Sequence, residues 1–400
     1  MEIIMNKNIG IIYGVMTLAL FASCGSISSQ PADEATSVDT ASADSAVVMF
    51  ATDFSSSGQL YEGILTDGIT ELGNSGVSDL GSSGIVRASG EQLYILHDGY
   101  SFGSSDNIQI LDAATFVTEA QYSLGNGANP HDVVVTGDTA YVSIYNAAFD
   151  PDNTDVSGNP ADVVEMDLAT GEIIRRYSFS DFLNDDGDKL GRADQMVLVG
   201  GILYVVLQDS MADFSVNAPG LIGMIDIVSK DVEGVMTLQT KNPVDIVLGS
   251  DGDRLFVASA EYDTSGSDGG LEVLDRSTGE SLFVVDDEDL GGYLERLATD
   301  NDGVYAVAST LDADFNFSSK VMRLSADATD ASSITTIDDA GSDVREILVT
   351  DGHLWISRRE INQATGVREP RVDVIDLATE ELLGESMIPA APVTSMVALP

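Results

Sequence analysis

The sequence predicts an all-β fold, a β-propeller of seven four-stranded blades, with six or eight blades as the alternatives. A strand-pair unit recurs, for example at 131–144 with 162–179, 244–259 with 271–285, and 344–357 with 372–385. One aromatic residue marks each copy: Tyr94, Tyr141, Tyr204, Phe256, Tyr305 and Trp355. The gaps between these aromatics are 47, 63, 52, 49 and 50 residues. A period of roughly 40–50 residues with short Val-, Ile- and Tyr-rich runs is typical of propeller blades.

Two kinds of turn divide each copy into four strands, which we letter A to D from the inside of the ring outwards. Strands A and B are joined by Gly- and Asp-containing turns at 136–138, 250–253 and 350–352. Such residues favour tight hairpins, because Gly adopts positive φ and Asp bonds its own backbone. Strands C and D are joined by turns that begin with Asp112, Asp167, Asp275 and Asp376. We interpret these aspartates as turn formers.

The two ends of the folded region complete one blade. Residues 393–399 match a strand A, whereas 47–54, 59–65 and 69–73 match strands B, C and D. Joining them closes the ring and removes two exposed sheet edges. The weakest copy of the repeat is 293–341. We therefore expect one propeller domain over residues 46–400.

The repeat resembles the YVTN type of seven-bladed β-propeller found in bacterial and archaeal surface proteins. The resemblance covers about residues 46–400 and departs from the family where Ser143, Ser259 and Ser357 stand near the usual Asn. It implies the fold and a surface location, but no single activity, because propellers carry many functions. The matching motifs are Asn129-Pro130, Asn242-Pro243, Asp251-Gly252, Asp351-Gly352, Tyr141-Val142, Phe256-Val257 and Asp167 to Gly171.

The N-terminal segment is predicted to be a lipoprotein signal peptide over residues 1–23. Lys7 precedes an apolar run that ends Phe21-Ala22-Ser23-Cys24, which resembles a bacterial lipobox. Lipidation at Cys24 would leave 24–45 as a flexible acidic tether. The alternative is an ordinary secretion signal with an incidental cysteine. We expect a lipid-anchored protein of the bacterial cell envelope, on the periplasmic or the exposed side of the outer membrane.

The charge balance is strongly acidic: 66 Asp and Glu against 18 Lys and Arg, a net charge of −48. One interpretation is a salt-adapted surface, and the other is a surface for cations or basic partners. Both exclude nucleic acid as a partner and leave the lipid anchor as the one contact with a membrane. Cys24 is the single cysteine, so no disulfide is expected.

Dense acidic loops make calcium the one cofactor to consider, since Ca²⁺ takes several oxygen ligands from flexible loops. The segment 150–155 begins like a calcium loop but lacks its Gly and its distant Glu. The alternative is that these carboxylates are simply solvated. The candidate ligands are Asp150, Asp152, Asp155, Asp185, Asp186 and Asp188, with 286–289 as a third acidic run.

The catalytic motifs of common hydrolases and nucleotide enzymes are absent from the sequence. When the copies are aligned, His131, Asp194 and Arg345 share one position at the start of strand A. Glu295 falls at the next position of the alignment, the one that Asp132 occupies in its own copy. A histidine, an arginine and carboxylates converging at the channel mouth could activate water for lactone or ester hydrolysis. The alternative is that polar residues line any wet channel.

We expect a binding or assembly module for an envelope protein or glycan, acting as a monomer, with a hydrolase as the alternative function. A propeller offers a broad, rigid face whose loops vary freely. The insertion at 146–161 is the predicted contact surface, because it would stand above that face.

Overall fold

The computed structural model shows a closed ring of seven four-stranded antiparallel blades, which confirms the predicted fold and blade count. Blade 1 is the blade whose strands come from both ends of the folded region of the chain. The residues described are 44–54, 57–77, 80–98, 106–125, 127–147, 152–183, 189–211, 218–260, 268–312, 316–325, 331–339, 341–361 and 367–399. The predicted signal peptide, Cys24 and nearly all of the tether lie outside them.

Each blade contains strands A to D in order of sequence, except that strand A of blade 1 comes last. Blade 1 consists of Val393–Ala398, Ser45–Ala51, Gln59–Thr66 and Ile69–Asn74, and blade 2 of Ile85–Ser89, Gln92–His97, Asn107–Asp112 and Thr118–Ser123. Blade 3 consists of Pro130–Thr136, Thr139–Ile144, Val163–Asp167 and Ile173–Tyr177, and blade 4 of Ala193–Val199, Ile202–Leu207, Leu221–Asp226 and Asp231–Thr237.

Blade 5 consists of Pro243–Leu248, Arg254–Ser259, Gly270–Asp275 and Ser281–Asp286, and blade 6 of Tyr293–Thr299, Gly303–Leu311, Phe317–Ser325 and Ile334–Asp338. Blade 7 consists of Asp343–Thr350, His353–Ile361, Arg368–Asp376 and Glu381–Met387. A two-stranded ribbon joins Lys189–Leu190 to Ser210–Met211. The helical segments are short: Ser180–Phe182, Asp287–Leu290 and Ala331–Ser333. Within the described ranges, none of these helices has the length and hydrophobicity that a membrane span requires.

The ring is closed as the sequence predicts. Val393–Ala398 pairs antiparallel with Ser45–Ala51, so the last described strand becomes the inner strand of blade 1. The inner strand of blade 7 also packs against this strand, and the inner strand of blade 2 packs on its other side. Ring closure therefore leaves no inner strand without neighbours on both sides.

The hydrophobic core is divided into seven clusters, one at each junction between adjacent blades. The repeated aromatic of each blade packs toward the next blade. Tyr141 contributes to the junction of blades 3 and 4, Tyr305 to that of blades 6 and 7, and Trp355 to that of blades 7 and 1. The aromatic that defines the repeat is thus the residue that joins one blade to the next.

The aspartates between strands C and D form turns, as predicted. The Asp112 carboxylate accepts from the Thr115 backbone N–H at 2.8 Å, and Asp376 accepts from that of Thr379 at 2.7 Å. The Thr115 hydroxyl and N–H together lower the pKa of Asp112, and the Thr379 N–H and hydroxyl lower that of Asp376. Blade 4 uses the same device at Asp226, where the Ser229 N–H donates at 3.0 Å. These carboxylates therefore stabilise turns on the face opposite the candidate site.

Candidate binding site on the entrance face

The entrance face is the side of the ring where strands A begin and where strands B connect to strands C. A β-bulge near the start of strand A places one extra residue there in several blades. In blade 6, Leu294 pairs with Ala308 and Arg296 with Val307, which leaves Glu295 as the extra residue. The alignment of Glu295 beside Asp132 is therefore wrong by one position. Glu295 shares its position with His131 and Arg345, and Arg296 is the counterpart of Asp132.

The residue after each bulge connects neighbouring blades. Asp132 accepts from the N–H of Met196 in blade 4 at 2.9 Å, and its other oxygen accepts from Val133. Asp245 accepts from the N–H of Leu297 in blade 6 at 2.7 Å. Bulges break the regular pairing of strands, so nearby N–H groups need other acceptors. These buried carboxylates therefore have a structural role that sequence reasoning did not identify.

Two arginines face these carboxylates inside the channel. Arg87 Nε lies 2.8 Å from Asp132 Oδ1, and its Nη2 donates to Gln195 at 2.7 Å. Arg296 Nε lies 3.5 Å from Glu346 Oε2. Burial raises the pKa of Asp245 to about 7, although Arg296 opposes the shift. These side chains line a channel cavity of about 310 Å³, which none of the four predicted catalytic residues lines.

Two of the predicted residues meet at the junction of blades 3 and 4. His131 Nδ1 lies 3.0 Å from Asp194 Oδ1, and the Asn129 side-chain amide nitrogen lies 3.2 Å from His131 Nε2. This pattern fits a neutral imidazole that donates to Asp194 and accepts from Asn129. The His131 ring stacks on Tyr145 with centroids 4.1 Å apart. The His131 side chain is 27% exposed, so a ligand can reach it.

Arg192 lies beside Tyr145, the residue on which His131 stacks, and sequence reasoning missed it. Its guanidinium lies 5.3 Å from the centroid of the Tyr145 ring and donates to Asn146 at 3.2 Å. Arg192 is fully buried, and burial lowers the pKa of its guanidinium. Its φ of 48° matches those of Asn129 and Asn242, which also precede an inner strand. Alignment of Arg192 with these asparagines was the signal that could have found it.

The other two predicted residues lie at the junction of blades 6 and 7. Glu295 accepts from the Ser309 hydroxyl at 2.9 Å, and burial raises the pKa of Glu295 while Arg296 and Arg345 oppose the shift. Arg345 Nη2 lies 2.9 Å from Asp343 Oδ2, and its guanidinium lies 5.3 Å from the Phe317 ring centroid. The four predicted residues therefore form two separate pairs rather than one direct cluster.

Three arginines converge on Asp343, and we call Arg345, Arg359 and Arg368 the arginine cluster. Arg359 contacts Asp343 Oδ2 through Nη2 and also through Nε at 2.8 Å. Arg368 Nη1 lies 3.6 Å from the same oxygen. The Asp343 side chain is 2% exposed, whereas the three arginine side chains are 21–31% exposed. Sequence reasoning missed Arg359 and Arg368, although five arginines between 345 and 371 are a visible concentration in this chain.

Beside this cluster, blades 6 and 7 carry the longest strands of the described structure. Their strands B extend six residues past Tyr305 and Trp355, against three past Tyr141 in blade 3. Three further residues raise each hairpin by about 10 Å. We call strands Gly303–Leu311, Phe317–Ser325, His353–Ile361 and Arg368–Asp376 the blade 6–7 ridge.

The insertion at 146–161 has a compact second half. Asn153 is buried, and its amide donates to the carbonyls of Ala147 and Ala161 at 3.3 and 2.9 Å. Asp155 accepts from the N–H groups of Ser157 and Asn159. Its carboxylate therefore stabilises the turn of the loop itself.

The calcium candidates lie mostly outside the described residues, which exclude Asp150, Asp185, Asp186 and Asp188. Asp152 and Asp155 are described, and no group of three or more possible metal ligands occurs in the described part of the chain. In the third acidic run, Asp286 caps the helix Asp287–Leu290 by accepting from the Glu288 N–H at 2.9 Å. Calcium at any of these positions remains a prediction.

No family model matches the chain, and no curated protein sequence matches it. Solved structures do share its fold. A candidate 6-phosphogluconolactonase from Bacteroides fragilis has a TM-score of 0.62 at 11% identity, covering 91% of this chain and 100% of its own. Its counterpart from Bacteroides uniformis has a TM-score of 0.55 at 11% identity, with 89% and 99% covered. The β-propeller domain of Cps50 (Swd1) from Myceliophteria thermophila has a TM-score of 0.50 at 13% identity, with 78% and 88% covered. These identities show a common propeller fold alone.

Proposed function

We propose that this propeller is a binding module of the bacterial cell envelope and that the blade 6–7 ridge is its contact surface. The observation that carries the proposal is the extension of two adjacent hairpins above the entrance face. Four strands extended together create a raised, ordered surface, which a partner can bind without first ordering a loop. The ridge replaces the insertion at 146–161 as our first choice, because the described half of that insertion is bonded to itself.

Hydrogen bonds connect the two hairpins of the ridge. Arg368 Nη2 in blade 7 donates to Asn316 Oδ1 at 3.3 Å and to the Phe317 carbonyl at 3.4 Å in blade 6. Two apolar side chains at the upper end of blade 7 are open to solvent: Ile361 is 47% exposed and Val367 is 58% exposed. Arginines are enriched at binding interfaces, and exposed apolar side chains beside them add surface that a partner can bury.

The envelope location is part of the proposal and rests on the N-terminal sequence. A signal peptide, lipidation at Cys24 and the tether to residue 45 would hold the ring at the outer membrane. The partner is an envelope protein or a glycan. The net charge of −48 supports neither nucleic acid nor anionic headgroups as ligands.

Site-specific photocrosslinking in intact cells tests the proposal. A crosslinking residue at position 361 should give a discrete adduct in the envelope fraction. The control places the same residue at Val228, which is 82% exposed in a turn on the opposite face. Adducts at both positions, or at neither, would contradict a contact surface on the ridge.

Hydrolysis is the second candidate function, favoured by the contact of 3.0 Å between His131 and Asp194. A partly exposed histidine oriented by a carboxylate can act as a general base, provided that the substrate or its water displaces the Asn129 amide from His131 Nε2. Its substrate would be a lactone or an ester. A panel of both classes, with and without Ca²⁺, should show turnover that His131→Ala abolishes. Turnover that is equal in the variant, or absent altogether, removes this candidate.

A further inference from the structure

The arginine cluster carries more positive charge than its protein partners neutralise. Three guanidinium groups share the single carboxylate of Asp343 as their ion-pair partner among the described residues. Glu295 also influences Arg345 electrostatically, and counting it leaves three guanidinium groups facing two described carboxylates. This excess stands out on a chain whose net charge is −48.

The other arginines of blade 7 lack this excess. Arg358 lies 3.0 Å from a carboxylate oxygen of both Asp338 and Asp373. Arg371 contacts Glu360 and lies 2.8 Å from Asp373. In both cases one guanidinium meets two carboxylates. In the arginine cluster, three guanidinium groups share one carboxylate as their ion-pair partner. Ion pairing within the fold therefore does not explain why three arginines lie there.

The cluster also has donors to spare. All three arginines reach the same oxygen, Asp343 Oδ2, and each guanidinium carries several N–H donors in a fixed fork. A fork of this shape matches the paired oxygens of a carboxylate or a phosphate. Asp343 is buried beneath the arginines and holds them together, while their partial exposure leaves them open to a ligand.

We propose that the arginine cluster is a binding site for an oxyanion, a carboxylate or phosphate group carried by the ligand of the ridge. The inference deepens the proposed function and rests on it, because it gives the chemistry of the group that the ridge binds. Phe317 forms one wall, since Arg345 lies over its ring. The net charge of −48 disfavours anions over the chain as a whole, so binding depends on this local concentration of arginines.

Calorimetric titration of the full-length protein in detergent, at constant ionic strength, tests the inference. The probes are inorganic phosphate and glucuronate, one for each source of the oxyanion. We expect saturable binding of at least one probe, with a dissociation constant of about 1 mM or lower. Arg368→Gln should weaken it about tenfold. Arg345→Lys, which keeps the charge but loses the fork, should weaken it several-fold.

The control is Arg175→Gln in blade 3, which removes one positive charge from a side chain that is 50% exposed. Its affinity should equal that of the wild type. Binding of phosphate alone indicates a phosphorylated ligand, and binding of glucuronate alone indicates an acidic sugar. Saturable binding of neither probe, or equal weakening in Arg175→Gln, overturns the inference. Crosslinking at the ridge without anion binding would preserve the proposed function and remove this site. Anion binding without crosslinking would leave an anion site but remove its link to a ligand of the ridge.

Discussion

The channel and the arginine cluster use the same residue types in opposite proportions. In the channel, Arg87 and Arg296 are outnumbered by the carboxylates of Asp132, Asp245 and Glu346. Asp132 and Asp245 also accept backbone N–H groups from the next blade. In the arginine cluster, three guanidinium groups share one carboxylate. The channel is a satisfied network that stabilises the ring, whereas the cluster has unsatisfied capacity that a ligand can complete.

The largest effect should come from breaking the channel network with Asp132→Ala. The substitution leaves the Met196 N–H and the Nε of Arg87 without their acceptor. We expect a loss of about 3–5 kcal/mol in the free energy of unfolding, the range for removing one partner of a buried ion pair. Urea denaturation measures it, with the exposed Asp138→Ala as the control. A loss within about 0.5 kcal/mol of the control would contradict the structural role of Asp132.

Asp343→Ala should show that the arginine cluster, unlike the channel, can take up an anion. It removes the carboxylate that holds three arginines together, so we expect a loss of about 1–3 kcal/mol in stability. Inorganic phosphate should restore much of the lost stability by taking the place of the carboxylate. Phosphate should not restore Asp132→Ala. Equal rescue of both variants, or rescue of neither, would mean that the cluster is no more open to anions than the channel.

The contribution of the channel network to the free energy of unfolding should depend on pH. The pKa of Asp245 is raised to about 7 in the folded state, from about 3.8 in the unfolded chain. The folded protein therefore binds the proton more tightly, and this group's contribution to stability falls as the pH rises from about 4 to 7. Urea denaturation at pH 5 and pH 8 should show a smaller difference for Asp245→Asn than for the wild type. An identical difference in both proteins would show that Asp245 does not titrate in this range.

Salt should have the smallest effect. It should raise the thermal stability of the whole chain but weaken phosphate binding at the arginine cluster. Added NaCl screens the repulsion within a chain of net charge −48, so the melting temperature should rise by a few degrees. The same screening should weaken phosphate binding at the arginine cluster. A melting temperature that stays flat from low to molar NaCl would show that the acidic surface does not limit stability.

The sequence was a good guide to the ring because propeller repeats are local. Each copy contains its own strands and turns, so Tyr141 or Asp167 can be recognised from its neighbours in sequence. The same method placed Glu295 one position wrong, although a spacing of ten residues to the repeated aromatic marks the correct position. His131 stands ten residues before Tyr141, and Glu295 stands ten residues before Tyr305.

The arginine cluster was harder to predict because it depends on strand register. Arg368 pairs with Ile361 across the blade 7 hairpin, and Arg359 pairs with Pro370. That register brings Arg359 and Arg368, nine positions apart in sequence, to a buried aspartate at the start of the inner strand. The contact of His131 with Asp194 likewise joins two blades. Sequence alignment placed both residues on the entrance face, but it could not give the distance between them.

The pairing of Val393–Ala398 with Ser45–Ala51 has a consequence for biosynthesis. Blade 1 lacks its inner strand until residue 398 has been made, so a nascent chain can stack its blades only as an open arc. The first blade also needs this strand for the contact of Ser395 with the Val86 N–H of blade 2. The arc therefore presents unpaired edges until the last strand has been made. Maturation of this protein would depend on protecting those edges until the two ends of the arc meet.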